Sequence, residues 1–396
     1  MLTGKKIILG ITGSIAAYKT AFLVRSLVKS GAEVRVIATR SALDFVTPLT
    51  LSTLSNQPVY SEYLKNELGE WVNHVEMGLW ADLLVVAPAT ANSLSKMANG
   101  QCDNLLMAVY LSARCEVMFA PAMDLDMYQH PTTQQNIQKL LGFGHHLIKP
   151  GTGALASGLD GEGRMAEPEV IQQQIEAFFE AKLPLKGKKV VLTAGPTYEA
   201  IDPVRFIGNR STGKMGYALA TELANLGAEV TLISGPTALD CPNGVQRQLV
   251  ESAQEMFDAT MAVFEKAELA IFTAAVADFK PAVAVTQKIK KEGQSLAIAL
   301  VPTLDILAEA GKRKQPGQFV VGFALETNNE LAHAQSKLAR KNVDLIVLNS
   351  LQEAGAGFGY DTNTVTIISK TEQTKLPLAS KQEIAKQIVQ YLLKCL

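Results

Sequence analysis

The second half of this chain repeats the opening of the first. Lys5-Lys6-Ile-Ile-Leu-Gly-Ile-Thr-Gly13 reads as a strand, a helical stretch follows, and Gly31-Ala-Glu-Val-Arg-Val-Ile-Ala-Thr39 reads as a second strand. Lys188-Lys189-Val-Val-Leu-Thr-Ala-Gly195 and Gly227-Ala-Glu-Val-Thr-Leu-Ile-Ser234 follow the same plan. Lys5 pairs with Lys188, an offset of 183, and Gly31 with Gly227, an offset of 196, so the second copy carries 13 extra residues. Further short apolar runs fall at 83–88 and 117–121, then at 269–274, 319–323 and 345–348. Such runs alternating with helical patterns belong to parallel sheets covered on both faces. The chain is therefore read as α/β, with two Rossmann-like domains of mainly parallel sheet. The boundary falls in Lys182-Leu-Pro-Leu-Lys-Gly187, giving domains at 1–181 and 188–396.

A length of 396 residues supports two cores, one per half. With 37 basic against 38 acidic residues, no strong field invites nucleic acid or an anionic membrane, so neither partner is expected. Lys5 and Lys6 before an apolar run resemble a secretory leader, but Gly10, Gly13 and Lys19 interrupt the run, which serves better as strand and turn. No apolar run reaches membrane-spanning length. Cys102, Cys115, Cys241 and Cys395 are widely spaced and suggest neither a disulfide framework nor a zinc site. A cytoplasmic location is expected.

In doubly wound sheets ligands bind beyond the carboxyl ends of the strands. In the first half those positions hold Gly13-Ser14-Ile15, Thr39-Arg40-Ser41, Thr90-Ala-Asn92-Ser93 and Ala122-Met123-Asp124. A small-residue turn into a helix presents backbone N–H groups to a phosphate. In the second half, Gly208, Gly213 and Lys214 fit G-x-x-x-x-G-K-[ST], but Met215 stands where a magnesium-binding hydroxyl belongs. The preceding strand also ends well before Gly208, so this is not read as a P-loop. Arg205, Asn209, Arg210, Ser211, Thr212 and Lys214 nevertheless crowd donors ahead of a helix and suit an anion, phosphate or carboxylate. His74 stands before the run at 83–88. A lone histidine is commonly structural, although its pKa suits proton transfer. His130, His145, His146 and His333 show no such context.

These motifs together carry a family resemblance. GSIAAYK (13–19), His74, PATANS (88–93), PAMDLDM (121–127) and GLDGEGRMAEP (158–168) resemble the flavin-dependent cysteine decarboxylases, with a flavodoxin-like domain, specifically the phosphopantothenoylcysteine decarboxylases. AGPTYEAIDPVRFIGNRSTGKMG (194–216), AAVADFKP (274–281), KIKK (288–291) and GFALETNN (322–329) look like the phosphopantothenate-cysteine ligases. The order is that of the bifunctional coenzyme A biosynthesis enzymes.

For the first half the resemblance implies FMN held by Gly13, Ser14, Ile15, Thr39, Ser41, Thr90 and Asn92, with substrate at Met123 and Asp124 and catalysis by His74, Asp124 and Ser157. Asp124 stands where the family continues its PAM motif with Asn, and Ser157 where it has a flap cysteine. An ionised Asp124 would repel a substrate carboxylate, and a hydroxyl is far less acidic than a thiol. For the second half the resemblance implies CTP as co-substrate at Asp278, Lys288, Thr303, Leu304, Asp305, Ile306, Phe323, Lys337 and Lys341. Arg205, Asn209 and Lys214 would hold 4′-phosphopantothenate and its acyl-cytidylate, Lys288 would come from a mobile loop, and Mg²⁺ would accompany the nucleotide. The small-molecule substrates would be 4′-phosphopantothenate and cysteine. A homo-oligomer of trimers and ligase-domain dimers is implied as well, with His74 acting across a subunit contact.

Two other readings belong beside this one. The first half could be a flavin-binding regulatory module without decarboxylase turnover, fused to a working ligase. A nicotinamide-dependent dehydrogenase is disfavoured by the absence of G-x-G-x-x-G.

Overall fold

The computed structural model describes residues 2–64, 70–290, 296–326, 330–350 and 360–396. Lys291 of the KIKK motif and Thr327, Asn328 and Asn329 of GFALETNN lie outside them. The chain divides into two compact units, Met1–Ala181 and Lys182–Leu396.

The first unit is built on β1 (Lys6–Ile11), β2 (Glu33–Ala38), β3 (Val59–Tyr60), β4 (Leu83–Ala89), β5 (Glu116–Pro121) and β6 (His146–Leu147). They form one sheet in the order β3-β2-β1-β4-β5-β6, parallel throughout. This is the Rossmann order, one strand longer than that of flavodoxin. Successive residues of β1 alternate between two cores: Ile7, Leu9 and Ile11 pack on one face, Ile8 on the other. Leu83, Val85 and Ala87 of β4 divide from Leu84, Val86 and Ala89 in the same way. Helices on both faces explain why these strands read as unbroken apolar runs, since each buried Leu, Ile or Val contributes about 1.5–3 kcal/mol on either side. A hairpin of β7 (Gly151–Ala154) and β8 (Asp160–Arg164) follows.

The second unit repeats the topology and extends it. Its strands are β9 (Lys189–Ala194), β10 (Tyr198–Ala200), β11 (Phe206–Gly208), β12 (Glu229–Ser234), β13 (Val245–Leu249), β14 (Leu269–Phe272), β15 (Phe279–Pro281), β16 (Leu300–Pro302), β17 (Phe319–Glu326), β18 (Leu345–Ser350), β19 (Thr362–Ile368) and β20 (Gln373–Ser380). The main sheet runs β13-β12-β9-β14-β17-β18-β19-β20, parallel up to β18 and antiparallel beyond it. Its first six strands stand in the order of the first unit's six. The 13 extra residues contain the antiparallel hairpin of β10 and β11, which leaves the main sheet before the helix Lys214–Asn225 begins. Among the described residues no helix is long and apolar enough to cross a membrane.

Candidate active sites

In each unit the strand order reverses between the first and fourth strands of the repeat, which opens a crevice at their carboxyl ends. Each crevice holds a cavity.

The first cavity measures about 800 Å³ and takes in Gly13, Ser14, Thr39, Ser41, Thr90, Asn92 and Met123. Its wall is made of helix starts. Ser14 Oγ accepts from Ala16 N, Thr90 Oγ1 from Ser93 N, and Asn104 Oδ1 from Met107 N, and all three caps line the cavity. Serine, threonine and asparagine cap because a short side-chain oxygen reaches an unpaired N–H of the first turn. Helix N-termini converging on one space, with Arg40 and Lys96 beside them, favour a bound anion. Lys96 is also tied to Asp103 at 2.5 Å.

Four residues expected at this site stand outside the cavity of their own chain. Ile15 is exposed on the short helix after Ser14. Asp124 begins the helix Leu125–Gln129, and its side chain makes no capping bond. Ser157 is exposed in the turn between β7 and β8, where its Oγ accepts from Leu159 N at 3.4 Å. His74 opens the helix His74–Trp80 rather than simply preceding β4, with Asn73 as cap. Its ring lies against Tyr63 and Trp71, with centroids at 6.4 and 6.1 Å, and its Nδ1 is buried with no hydrogen-bond partner among the described residues.

The second cavity, about 540 Å³, gathers Asn209, Lys214, Asp278, Thr303, Leu304, Asp305, Ile306, Phe323, Lys337 and Lys341. Residues from five separate stretches of chain meet here. Asn209 Nδ2 donates to Ala275 O and Val276 O, both at 3.0 Å, which commits both amide hydrogens and leaves Oδ1 as the acceptor. Asp305 caps the helix Ile306–Arg313 through Ala308 N and pairs with Lys341 at 2.7 Å. Burial would raise its pKa, but Lys341 and the Ala308 N–H outweigh burial and hold it below the usual carboxylate value. Gly216 must lack a side chain, because a Cβ there would meet Ala194 Cβ and Thr273 Oγ1 at 2.5 Å.

Two expected residues lie outside this cavity for a visible reason. The Arg205 guanidinium is drawn onto Asp202 at 2.9 Å, and Lys288 is exposed on a segment bonded to the same carboxylate. In their place the structure supplies residues that the motifs did not single out. Lys381, 8% exposed, opens the helix Lys381–Cys395 and lines the cavity together with Asn349 and Asn363. Burial first, then the charge of Lys214, lowers its pKa, and Asp361 partly opposes them. The Ser380-Lys-Gln-Glu383 capping box was readable in the sequence, but not which cavity that helix start would join. All four cysteines are unpaired thiols. Among the described residues no three His, Cys, Asp or Glu side chains group closely enough to hold a metal ion.

Two doubly wound units, each with an anion-suited cavity at its switch point, define a tandem Rossmann-like α/β protein. Residues 1–180 match the Flavoprotein family, and residues 185–396 match the DNA/pantothenate metabolism flavoprotein C-terminal domain. Across nearly the full length, the chain is 46% identical over 394 residues to the coenzyme A biosynthesis bifunctional protein CoaBC of Bacillus subtilis, covering 98% of this chain and 97% of that one. It is 41% identical over 384 residues to the protein of the same name from Escherichia coli, with 96% and 95% covered. A cysteine/cysteine sulfinic acid decarboxylase from an unknown prokaryotic organism is 51% identical over 355 residues, with 88% of this chain and 99% of that one covered. The chain belongs to the family of bifunctional coenzyme A biosynthesis proteins.

Proposed function

We propose that the second unit joins cysteine to 4′-phosphopantothenate at the expense of CTP, and that the first unit decarboxylates the product, 4′-phosphopantothenoylcysteine, to 4′-phosphopantetheine. The observation that carries this reading is the meeting in one cavity of Asn209, Lys214, Asp278, Thr303–Ile306, Phe323, Lys337 and Lys341 from distant parts of the chain.

In the ligase step a carboxylate oxygen of 4′-phosphopantothenate attacks the α-phosphate of CTP, pyrophosphate leaves, and the cysteine amine then displaces CMP from the acyl-cytidylate. Lys214, Lys337 and Lys381 bring cationic charge to the anionic groups, where charge in a partly dry cavity stabilises most. Asn209 holds the acyl intermediate by accepting at Oδ1. Arg205, from the turn between β10 and β11, and Lys288, from the stretch hydrogen-bonded to that turn, act in the same step. Mg²⁺ would arrive with the triphosphate, held by phosphate oxygens and water.

The first cavity suits FMN: its size, its converging helix starts and its hydroxyls fit a mononucleotide, and Gly13 sits where a Cβ would collide with Ser41. Gly13, Ser14, Thr39, Ser41, Thr90 and Asn92 would hold it, with Ile15 beside them. When bound, FMN supplies the two-electron chemistry that makes loss of the cysteine carboxylate feasible. Met123 lines the substrate side. His74 holds or moves the thiol proton, Asp124 faces the substrate carboxylate, and Ser157 returns a proton to the product. Because the last three lie outside their own chain's cavity, we assign their work to a subunit contact within trimers, with further dimers through the ligase unit. The exposed apolar side chains Ile15, Tyr18, Phe22, Phe45 and Leu49 support self-association. A fully active monomer in sedimentation would overturn that assignment. The cytoplasm is the compartment proposed, in keeping with the unpaired thiols.

Exposure of Ser157 and the uncapped Asp124 favour one second reading, a flavin module without turnover fused to a ligase. Supplying 4′-phosphopantothenoylcysteine, and separately free cysteine, to the purified protein and to its Asp124→Asn, Ser157→Cys double variant decides between them. CO₂ release by the native protein with the first compound sustains the bifunctional reading. No CO₂ from the native protein, with turnover by the variant, leaves a ligase with a flavin module. Release from free cysteine alone would make the first unit a cysteine decarboxylase.

A further inference from the structure

Asp202 occupies the turn between β10 and β11, and its carboxylate is fully buried. Its two oxygens do different work. Oδ1 accepts from Val204 N at 2.8 Å and Arg205 N at 2.9 Å, closing the turn locally. Oδ2 accepts from Arg205 Nη1 at 2.9 Å and, 87 residues away, from Ile289 N at 3.1 Å. Arg205 Nη2 in turn donates to Ile289 O at 3.2 Å, and Val285 N donates to Ile201 O at 3.1 Å. The segment 285–289 is thus fastened to the hairpin turn at both its ends, with Lys288 exposed between the fastenings. Burial alone would raise the pKa of Asp202, but the N–H groups of Val204, Ile289 and Arg205 and the guanidinium keep it low, so it stays charged at neutral pH.

We propose that Asp202 is a positioning residue of the ligase step, holding Arg205 and the Lys288 segment together as one unit beside the second cavity. A turn needs only an Asx-type acceptor, which Oδ1 supplies. Nothing about the turn requires the second oxygen to reach Ile289 and the guanidinium. The inference rests on the ligase reading for its kinetic consequence, though not for its geometry.

Asp202→Asn separates the two roles. An amide keeps Oδ1 for the turn and sets an NH₂ group against Ile289 N–H and Arg205, donor against donor. Limited trypsin digestion of the full chain, followed by mass spectrometry, reads the docking without any substrate. Cleavage after Lys288 is expected to accelerate about tenfold, as loss of charged hydrogen bonds frees the segment. Ligation kcat should fall by about the same factor, and the Asp202→Asn, Lys288→Gln double variant should be no slower than Lys288→Gln alone. Unchanged cleavage in Asp202→Asn overturns the proposal, as does a double variant whose losses multiply. If Lys288→Gln leaves ligation untouched, the ligase role of Lys288 is what fails, and cleavage alone decides the docking. Should Asp202→Asn not fold, Arg205→Lys, which removes the donor to Ile289 O, must accelerate the same cleavage or the proposal falls.

Discussion

The ammonium of Lys214 lies 2.5 Å from Asp361 Oδ1, so the cation at the start of the helix Lys214–Asn225 already has a counter-ion from 147 residues away. Asp361 is a poor permanent partner, since its side chain is 84% exposed. The Lys214 ammonium lowers its pKa, so it is ionised at neutral pH. An anionic ligand that draws on Lys214 therefore competes with a carboxylate already paired to it. Asp361→Asn removes the competitor, and CTP affinity measured by calorimetry should improve about two- to fivefold, the scale of an exposed ion pair. Lys214→Met should weaken it by about tenfold. Weaker binding in Asp361→Asn would mean that Asp361 serves the ligand rather than competes with it.

Gly13 faces Ser41 so closely that a methyl group on Gly13 would collide with the Ser41 side chain. Both residues line the first cavity, so Gly13→Ala should push Ser41 aside and weaken FMN retention. Overpacking of this kind costs about 1–3 kcal/mol, or roughly five- to a hundredfold in affinity. Gly13→Ala, Ser41→Gly restores the space and should recover much of the loss. Flavin fluorescence titration of the apoprotein measures both, and a double variant as poor as the single would show that Ser41's own hydroxyl matters more than room.

Much of this was legible because burial on both faces writes a strand into sequence as an apolar run, and the residue after such a run stands at the ligand edge. Gly13, Thr39 and Thr90 were located that way. Lys381 was not, because it reaches the second cavity from the last helix, after β19 and β20 have added antiparallel strands beyond the repeat, and Asp361, just before β19, meets the cavity only through its ion pair with Lys214. Asp103 and Asn104 likewise come from a loop between helices rather than from a strand end. Arg205 was read as an anion holder from its neighbours in sequence. Its actual partner, Asp202, is three residues back, in a hairpin that the 13-residue insertion implied but did not describe.

His74 offers a test of role against stability. A buried nitrogen without a partner costs the fold about 1–3 kcal/mol, so Nδ1 of His74 is not there to hold the structure together. His74→Leu keeps apolar contact with Tyr63 and Trp71 and removes the orphaned atom. Thermal stability should hold or rise while CO₂ release falls by about 10²–10⁴-fold, the usual contribution of a positioned proton-transfer group. A destabilised variant with nearly normal turnover would make His74 structural after all.

His145, held against Tyr110, is expected to contribute to the acid response of the first unit. Tyr110 O–H and His145 Nε2 are 2.8 Å apart, and burial pushes Tyr110 up to about 12, so the phenol stays protonated across the whole working range. Burial, and then the neighbouring His146, pushes the pKa of His145 below 6.5. His146 itself pairs with Glu116 at 2.5 Å, and Phe143 covers the His145 ring from another side. A histidine with a lowered folded pKa binds fewer protons folded than unfolded, so its contribution is present above pH 6.5 and is lost as pH falls from there to the folded value. The slope cannot exceed about 1.36 kcal/mol per pH unit for one proton. His145→Gln keeps a hydrogen-bond partner for Tyr110 and cannot titrate. Hydrogen exchange of the helix Leu105–Ser112 in the full chain, compared at matched pH, should show native protection falling away below pH 6.5 while the variant's stays flatter. Parallel curves would place the acid sensitivity on another group, with the His146–Glu116 pair the next to remove.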